Sequence, residues 1–99
     1  MSRKILDPIP PGEILLEDFM KPMRISINRL AREIAVSPAR VSDIVNGRRG
    51  ISADTALRLA RFFAVSPDLW IGLQAEYDLR VARRKVGPEI EQRIQPYAA

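Results

Sequence analysis

Residues that start α-helices recur at short intervals along this chain, and they constrain its fold more than any other feature. Four serines precede segments with the apolar spacing of helices, and serine at such a position caps a helix N-terminus. They are Ser26, Ser37, Ser52 and Ser66. Pro38 and Pro67 follow two of them at the first helical position, and Pro11 and Gly12 open another helix with an acidic first turn. No alternation of β-branched residues predicts a strand, so we expect an all-α fold.

Stop signals set the expected helix ends. The helices should cover about 12–21, 26–34, 37–46, 52–64 and 66–85. Pro22, Gly47 and the pair Gly87–Pro88 would end the first, third and fifth of them. The tail 87–99 could add a sixth short helix, since Ile90 and Ile94 would share a face. We therefore expect a compact bundle of five to six helices in one domain, 1–99, with a core at 11–86 and a C-terminal tail at 87–99.

The segment 27–46 has the spacing of a helix-turn-helix. Its apolar residues lie on one face of each helix or in the short connection. They are Leu30, Ala31, Ile34, Val36, Val41, Ile44 and Val45. With only about three residues between the helices, the helices must cross steeply, and the small Ala31 suits their contact. Two short helices that merely pack in a bundle would show the same spacing, so this pattern leaves a structural role open.

If the second helix enters the major groove of double-stranded DNA, its outward residues would read bases. These are Ser37, Ala39, Arg40, Ser42, Asp43 and Asn46. Asn46 suits adenine, Ser42 any base, and Arg40 guanine or a phosphate. Asp43 could accept from cytosine, but we favour an ion pair with Arg40 one turn earlier.

The distribution of charge supports an anionic partner. The formal net charge is +4, and the segment 24–49 carries all of it, with six arginines against two acidic residues. Ser26 and Asn28, with the free amides at their helix start, would hold one phosphate. Arg48 and Arg49 would hold another, although a merely solvated basic loop would look the same.

The last long helix has two apolar stripes, whereas a surface helix needs one. Trp70, Leu73, Tyr77 and Val81 form the first stripe. The second consists of Ile71, Ala75, Leu79, Ala82 and Val86. The second stripe must pack on the tail, on a second copy of this chain or on another protein. We expect contact with a partner, with central burial in a monomer as the alternative. A two-fold dimer would place two recognition helices about one DNA turn apart on a palindromic site.

Other classes of function are poorly supported. The chain has no cysteine and no histidine, which leaves no thiolate metal site and no imidazole base. Glu13 and Glu17 are the only acidic pair at helical spacing, and acidic residues simply favour a helix start. We therefore expect no enzyme and no cofactor. No apolar run approaches a membrane span, and the N-terminal segment lacks an apolar signal region, so a cytoplasmic protein is expected.

The sequence also resembles a known family. The motifs "PGEILLEDFM", "RGISADTALRLARFF" and "SPDLWIGLQAEYDL" are similar to those of HigA/VapI-type antitoxins, a branch of the phage-repressor-like (Xre) helix-turn-helix proteins. The resemblance covers most of the chain, to about Ala82. It implies a homodimer that represses its own operon through operator DNA, and a HigB-like toxin partner that cleaves mRNA on the ribosome. It also maps the DNA-reading positions onto 37–46. Ala35 stands where many relatives have glycine, and a left-handed backbone there would be strained.

Two other functions remain as alternatives. A stand-alone transcriptional regulator of the same fold would have no toxin partner. A protein-binding module would use the second apolar stripe and ignore DNA.

Overall fold

The computed structural model describes residues 7–98, and the remaining termini of the expected domain, 1–6 and 99, lie outside the described residues. The helices are α1 (Pro11–Ile14), a π-helical segment (Leu15–Met20), α2 (Lys21–Met23), α3 (Ile27–Ile34), α4 (Pro38–Val45), α5 (Ala53–Phe63) and α6 (Pro67–Arg93). The range 7–98 contains no strand, so the expected all-α fold is confirmed. In the same range, no helix is both long and apolar enough to cross a bilayer.

The first helix continues past Pro22, so the prediction that it would end there was wrong. α1, the π-helical segment and α2 follow one another without a break from Pro11 to Met23. At the end of the π-helical segment, the Lys21 N–H donates to the carbonyl of Leu16, five residues earlier. This wider turn leaves room for the Pro22 ring, which in a regular α-helix presses on the carbonyl four residues before it.

Three helices end at a residue other than glycine with a left-handed backbone. These residues are Arg24, Ala35 and Ala64, with φ of 57°, 60° and 58°. The apolar residue after each donates its N–H to a carbonyl five positions earlier, from Ile25 to Met20 at 2.9 Å, Val36 to Ala31 at 3.0 Å and Val65 to Ala60 at 3.0 Å. This Schellman arrangement satisfies the last carbonyls of each helix. Each left-handed residue is thus followed by an apolar residue and then a capping serine, which makes short, sharply defined connections.

The core lies between the helix-turn-helix, formed by α3 and α4, and the helices around it. α5 packs on α6, α3 on α4 and α5, and α1 on α4 and α6. Trp70 is fully buried at the start of α6, and its ring lies 4.9 Å from that of Phe19 and 6.3 Å from that of Phe63. The largest fully buried side chains besides Trp70 are Leu15, Met20, Leu30, Ile44, Leu59 and Val41.

The last helix is longer than expected. α6 passes through Gly87 and Pro88 without a break and ends at Arg93, so the tail contains no separate sixth helix. Pro88 cannot donate to the carbonyl of Arg84, but both residues are exposed and water can take the missing bond. The proline's missing N–H therefore leaves no buried carbonyl unsatisfied at this point of α6.

Candidate nucleic-acid interface

The helix-turn-helix begins each of its helices with a serine cap. The Ser26 Oγ accepts from the Arg29 N–H at 3.1 Å, and the Ser37 Oγ accepts from the Arg40 N–H at 3.1 Å. Both serines are exposed, and each hydroxyl hydrogen remains available to an outside acceptor. The start of α3 also presents Asn28, which is exposed. This end of α3 therefore offers the donors that the sequence assigned to a phosphate.

α4 presents one apolar and one polar face, as expected. Val41 and Ile44 are buried and Val45 is half-buried against the core. Ala39 and Asn46 are exposed on the opposite side. The exposed side is therefore narrow and carries small or polar groups, which suits entry into a groove.

The C-terminal end of α4 rests directly on the start of α1. A Cβ placed on Gly12 would collide with the backbone carbonyl oxygen and carbon of Ile44. Gly12 is buried, and the missing side chain is what lets the two backbones meet. α1 thus sets how far α4 sits from the core.

Arg40 forms an ion pair with a residue of α5, so the prediction that it pairs with Asp43 was wrong. The Arg40 Nη1 donates to the Asp54 Oδ2 at 3.0 Å. Arg40 lies on the flank of α4 that faces the first turn of α5, and this turn carries Asp54. The side chain of Arg40 is 31% exposed, so it remains accessible from solvent despite this pair.

Arg58 connects the same carboxylate to the turn of the helix-turn-helix. Its Nε donates to the Asp54 Oδ2 at 2.9 Å. Its Nη1 donates to the carbonyls of Ile34 at 2.9 Å and Ala35 at 3.1 Å. Hydrogen bonds from Arg58 and, second, from Arg40 hold the pKa of the Asp54 carboxyl below its ordinary value of 3.8. The end of α3 and the flank of α4 are therefore joined through one charged cluster on α5.

Asp43 pairs with the arginine that follows α4. The Arg48 Nε donates to the Asp43 Oδ1 at 3.1 Å, and the Arg48 N–H donates to the Asp43 carbonyl at 2.8 Å. Asp43 is consequently half-buried rather than directed straight outward. The charge of Arg48 is partly neutralised, whereas the exposed Arg49 has no side-chain ion pair within residues 7–98. The loop thus presents two arginines of unequal availability.

Asn46 closes the end of α4. Its Nδ2 donates to the Ser42 carbonyl at 2.8 Å, and the Ser42 Oγ lies 3.4 Å from the same nitrogen. An asparagine amide carries two N–H donors and one acceptor oxygen, and both hydrogen bonds from this nitrogen run to Ser42, so the two lone pairs of the oxygen are left for a base. The bond to Ser42 fixes the direction in which they point.

Gln74 of α6 fixes the far end of the loop. Its Oε1 accepts from the Ile51 N–H at 2.8 Å, and its Nε2 donates to the Asp78 Oδ1 at 3.0 Å. The side-chain amide lies 3.0 Å from where a Cβ on Gly50 would be. The loop that carries Arg48 and Arg49 is therefore anchored at both ends.

The second stripe of α6 is exposed within the described part of the chain. Ile71, Leu79 and Val86 are 39%, 51% and 41% exposed. Ala75 and Ala82, which complete the stripe, are exposed as well. In contrast, Trp70 is buried and the other members of the first stripe are half-buried. Among residues 7–98, α6 therefore has an apolar face that no other element covers.

Glu13 and Glu17 do not form an acidic site. Glu17 pairs instead with Lys21, whose Nζ lies 2.8 Å from the Glu17 Oε2. Within residues 7–98, no three side chains of the metal-ligating types lie together.

Sequence reasoning missed four residues that position this surface: Gly12, Asp54, Arg58 and Gln74. The i, i+4 spacing of Asp54 and Arg58 on one helix is a signal for their mutual pair. Their bonds to α4 and to the turn join distant parts of the chain, and spacing gives no signal for those.

Comparison with known proteins agrees with the helix-turn-helix fold. The family profile described as Helix-turn-helix (HTH_3) matches residues 16–70. Virulence-associated protein I of Dichelobacter nodosus is 49% identical over 76 residues, which are 77% of this chain and 70% of that protein. A regulator of Escherichia coli strain K12, the uncharacterized HTH-type transcriptional regulator YbaQ, is 37% identical over 80% of this chain and 70% of its own length. The Pseudomonas aeruginosa antitoxin HigA, in a structure with the higBA promoter, superimposes with a TM-score of 0.89 at 47% identity, covering 92% of this chain and 99% of that one.

Proposed function

This chain belongs to the Xre-type helix-turn-helix family (HTH_3), whose members similar to it are antitoxins and transcriptional regulators rather than enzymes, and we propose that it is a HigA-like antitoxin. It binds operator DNA as a dimer and represses its own operon. It also binds and neutralises a HigB-like mRNA endonuclease toxin. The observation that carries this proposal is its likeness, over nearly the whole chain, to a HigA antitoxin seen with a promoter.

In this proposal α4 reads the major groove of the operator. Ser37, Ala39 and Asn46 face the bases from its exposed side. Ser42 and Arg40 lie on its flanks, from which Ser42 reaches a base and Arg40 a guanine or a phosphate. Asp43 contributes to DNA binding indirectly, because its carboxylate orients the Arg48 side chain. The shape of α4 supports this role, because its exposed side is narrow and its apolar side packs against the core.

The phosphates are held at two places beside α4. Ser26, Asn28 and the free amides at the start of α3 supply the first. Arg48 and Arg49 supply the second, and Gln74 keeps their loop in place. The net charge of +4 within 24–49 supports this arrangement, since it concentrates the attraction for DNA on the helix-turn-helix.

The second stripe of α6 supplies the contact between protomers or with the toxin. Ile71, Ala75, Leu79, Ala82 and Val86 lie along one side of a 27-residue helix and are exposed in the protomer. Burying such a stripe against a second copy stabilises a dimer through removal of apolar surface from water. A cytoplasmic location fits a protein that binds DNA and a ribosome-dependent toxin.

The test is a tagged pull-down of the chain from its native host with mass-spectrometric identification of what is retained. We expect one small basic protein at a stoichiometric level. A matched binding assay uses the duplex upstream of the gene and, as the control, the same duplex with its sequence scrambled. A preparation that contains this chain alone and still prefers the upstream duplex supports the stand-alone regulator, which the similarity to YbaQ also favours. A chain that prefers no duplex would contradict both the DNA-binding antitoxin and the stand-alone regulator.

A further inference from the structure

Asp54 connects the two helices of the helix-turn-helix to α5 through two arginines. Its Oδ2 accepts from the Arg40 Nη1 at 3.0 Å and from the Arg58 Nε at 2.9 Å. Arg58 in turn donates to the carbonyls of Ile34 and Ala35, at the left-handed end of α3. Asp54 and Arg58 sit one turn apart on α5, outside the helices that would enter the DNA.

The bridge leaves Arg40 able to donate elsewhere. A guanidinium has five N–H donors in a planar fork, and the bond to Asp54 is made through Nη1. The side chain is 31% exposed, so Arg40 is accessible from solvent beside the exposed side of α4. One carboxylate shared by two arginines also leaves the cluster with one positive charge, which attracts an anionic partner.

We propose that Asp54 is a positioning residue for DNA binding, which holds the Arg40 guanidinium in the orientation that donates to an acceptor on the operator. This inference rests on the proposed function. The acceptor is a guanine edge or a phosphate oxygen, which present similar acceptors to a planar fork. An arginine already held by a carboxylate loses less conformational freedom on binding than a free one. Arg58 supports the same pose, because it fixes the turn that precedes α4.

The test compares Asp54→Asn, Arg40→Ala and the double variant, with Glu76→Gln as the matched control. Glu76 is an exposed carboxylate that pairs with an arginine one turn later on α6, so the control removes the same charge and the same kind of ion pair. The probes are duplexes that the wild-type chain selects from a random pool, with affinity measured at several salt concentrations. We expect Asp54→Asn and Arg40→Ala each to weaken binding about tenfold. The double variant should be no weaker than Arg40→Ala alone, and Glu76→Gln should stay within about twofold of wild type.

The pattern of the loss identifies the acceptor. Loss of preference at one base pair, shared by Asp54→Asn and Arg40→Ala, supports a guanine contact. A uniform loss with a shallower salt dependence in both supports a phosphate contact. The proposal is overturned if affinity rises in Asp54→Asn, if its effect adds to that of Arg40→Ala, or if it behaves like the control.

A measurement without DNA separates this inference from the proposed function. Side-chain ¹⁵N relaxation of the free protein should show an ordered Arg40 in wild type and a mobile one in Asp54→Asn. Equal mobility in the two proteins overturns the bridge. A wild-type chain that selects no duplex, yet shows an Asp54-dependent ordering of Arg40, contradicts DNA binding and retains the bridge as structure alone.

Discussion

One oxygen of Asp54 accepts hydrogen bonds from two arginines, and this determines how the carboxyl group titrates. Because Arg58 and Arg40 favour the charged form, the pKa in the folded chain lies below 3.8. Asp54 therefore adds stability above that pH, and the contribution is lost as the pH falls through the folded pKa. A ¹³C NMR titration of the carboxyl carbon should show the low pKa. Arg58→Ala should raise it more than Arg40→Ala does, and an order opposite to this would contradict the geometry.

Asn46 carries a prediction about base preference. The hydrogen bonds from its Nδ2 to the Ser42 carbonyl and Oγ fix the amide and leave its oxygen free to accept. We expect Asn46→Ala to cost about 1–3 kcal/mol on the preferred duplex and to relax selection at one base pair per half-site. Selection from a random duplex pool measures this directly. A loss that is equal on all duplexes would mean that Asn46 only closes α4.

For individual residues, the sequence predicts helix caps well and ion-pair partners poorly. Ser26, Ser37 and Ser66 act as caps because the bond runs to a backbone N–H two or three residues away. The partner of Arg40 is Asp54, fourteen residues along the chain, and it is set by where α5 lies. The prediction named Asp43 because it is nearer in sequence.

Among the helices, the contact between α1 and α4 gives the sharpest prediction. Gly12→Ala places a methyl group against the Ile44 carbonyl, so α1 or α4 must shift. We expect the free energy of unfolding to fall by about 2 kcal/mol, with weaker DNA binding as well, because α4 sets the reading position. Gly72→Ala is the matched control. Gly72 lies within α6, where an added Cβ would meet open space. The substitution should therefore raise the free energy of unfolding by about 0.5–1 kcal/mol.

Chemical denaturation of both variants measures these changes. Equal stability of Gly12→Ala and wild type would show that the two backbones are free to separate.

The positions of the helices followed from local signals, whereas two of their ends did not. Serine caps and the glycine at 47 act within a few residues, so they can be identified without the fold. Pro22 and Pro88 were expected to stop helices, and each lies inside one. A π-helical turn accommodates the first and solvent the second, and neither is visible in the spacing of residues.

The charge of the whole molecule is concentrated on the helix-turn-helix, and its salt dependence should show this. Replacing both Arg48 and Arg49 with alanine should weaken binding similarly on all duplexes and flatten the dependence of log K on log salt by about 0.9 per lost contact. Arg49→Ala should have the larger single effect, since Asp43 partly neutralises Arg48. Arg61→Ala with Arg93→Ala is the control of equal charge, and it should leave the slope unchanged. An unchanged slope in the loop variant would exclude a phosphate contact there.

The molecule is longer than a compact chain of its size, and α6 accounts for the difference. Its radius of gyration is 16.3 Å, against roughly 13 Å for a compact domain of 100 residues. A helix of 27 residues extends about 40 Å, and α6 has one buried residue, Trp70. Such a helix gains little from its own protomer, so its exposed stripe is the place where a second chain adds stability.

Leu79→Gln with Val86→Gln should therefore separate a dimer into monomers. Both side chains are about half exposed in the protomer, so the substitution costs little within it but removes apolar area from the proposed interface. Tyr97→Gln, at a residue that is 93% exposed beyond the end of α6, is the control for a general loss of apolar surface. Analytical ultracentrifugation should find the wild type and the control as dimers and the stripe variant as a monomer. A stripe variant that stays dimeric but no longer retains the toxin would assign the stripe to the toxin, because the stripe cannot then be what joins the protomers.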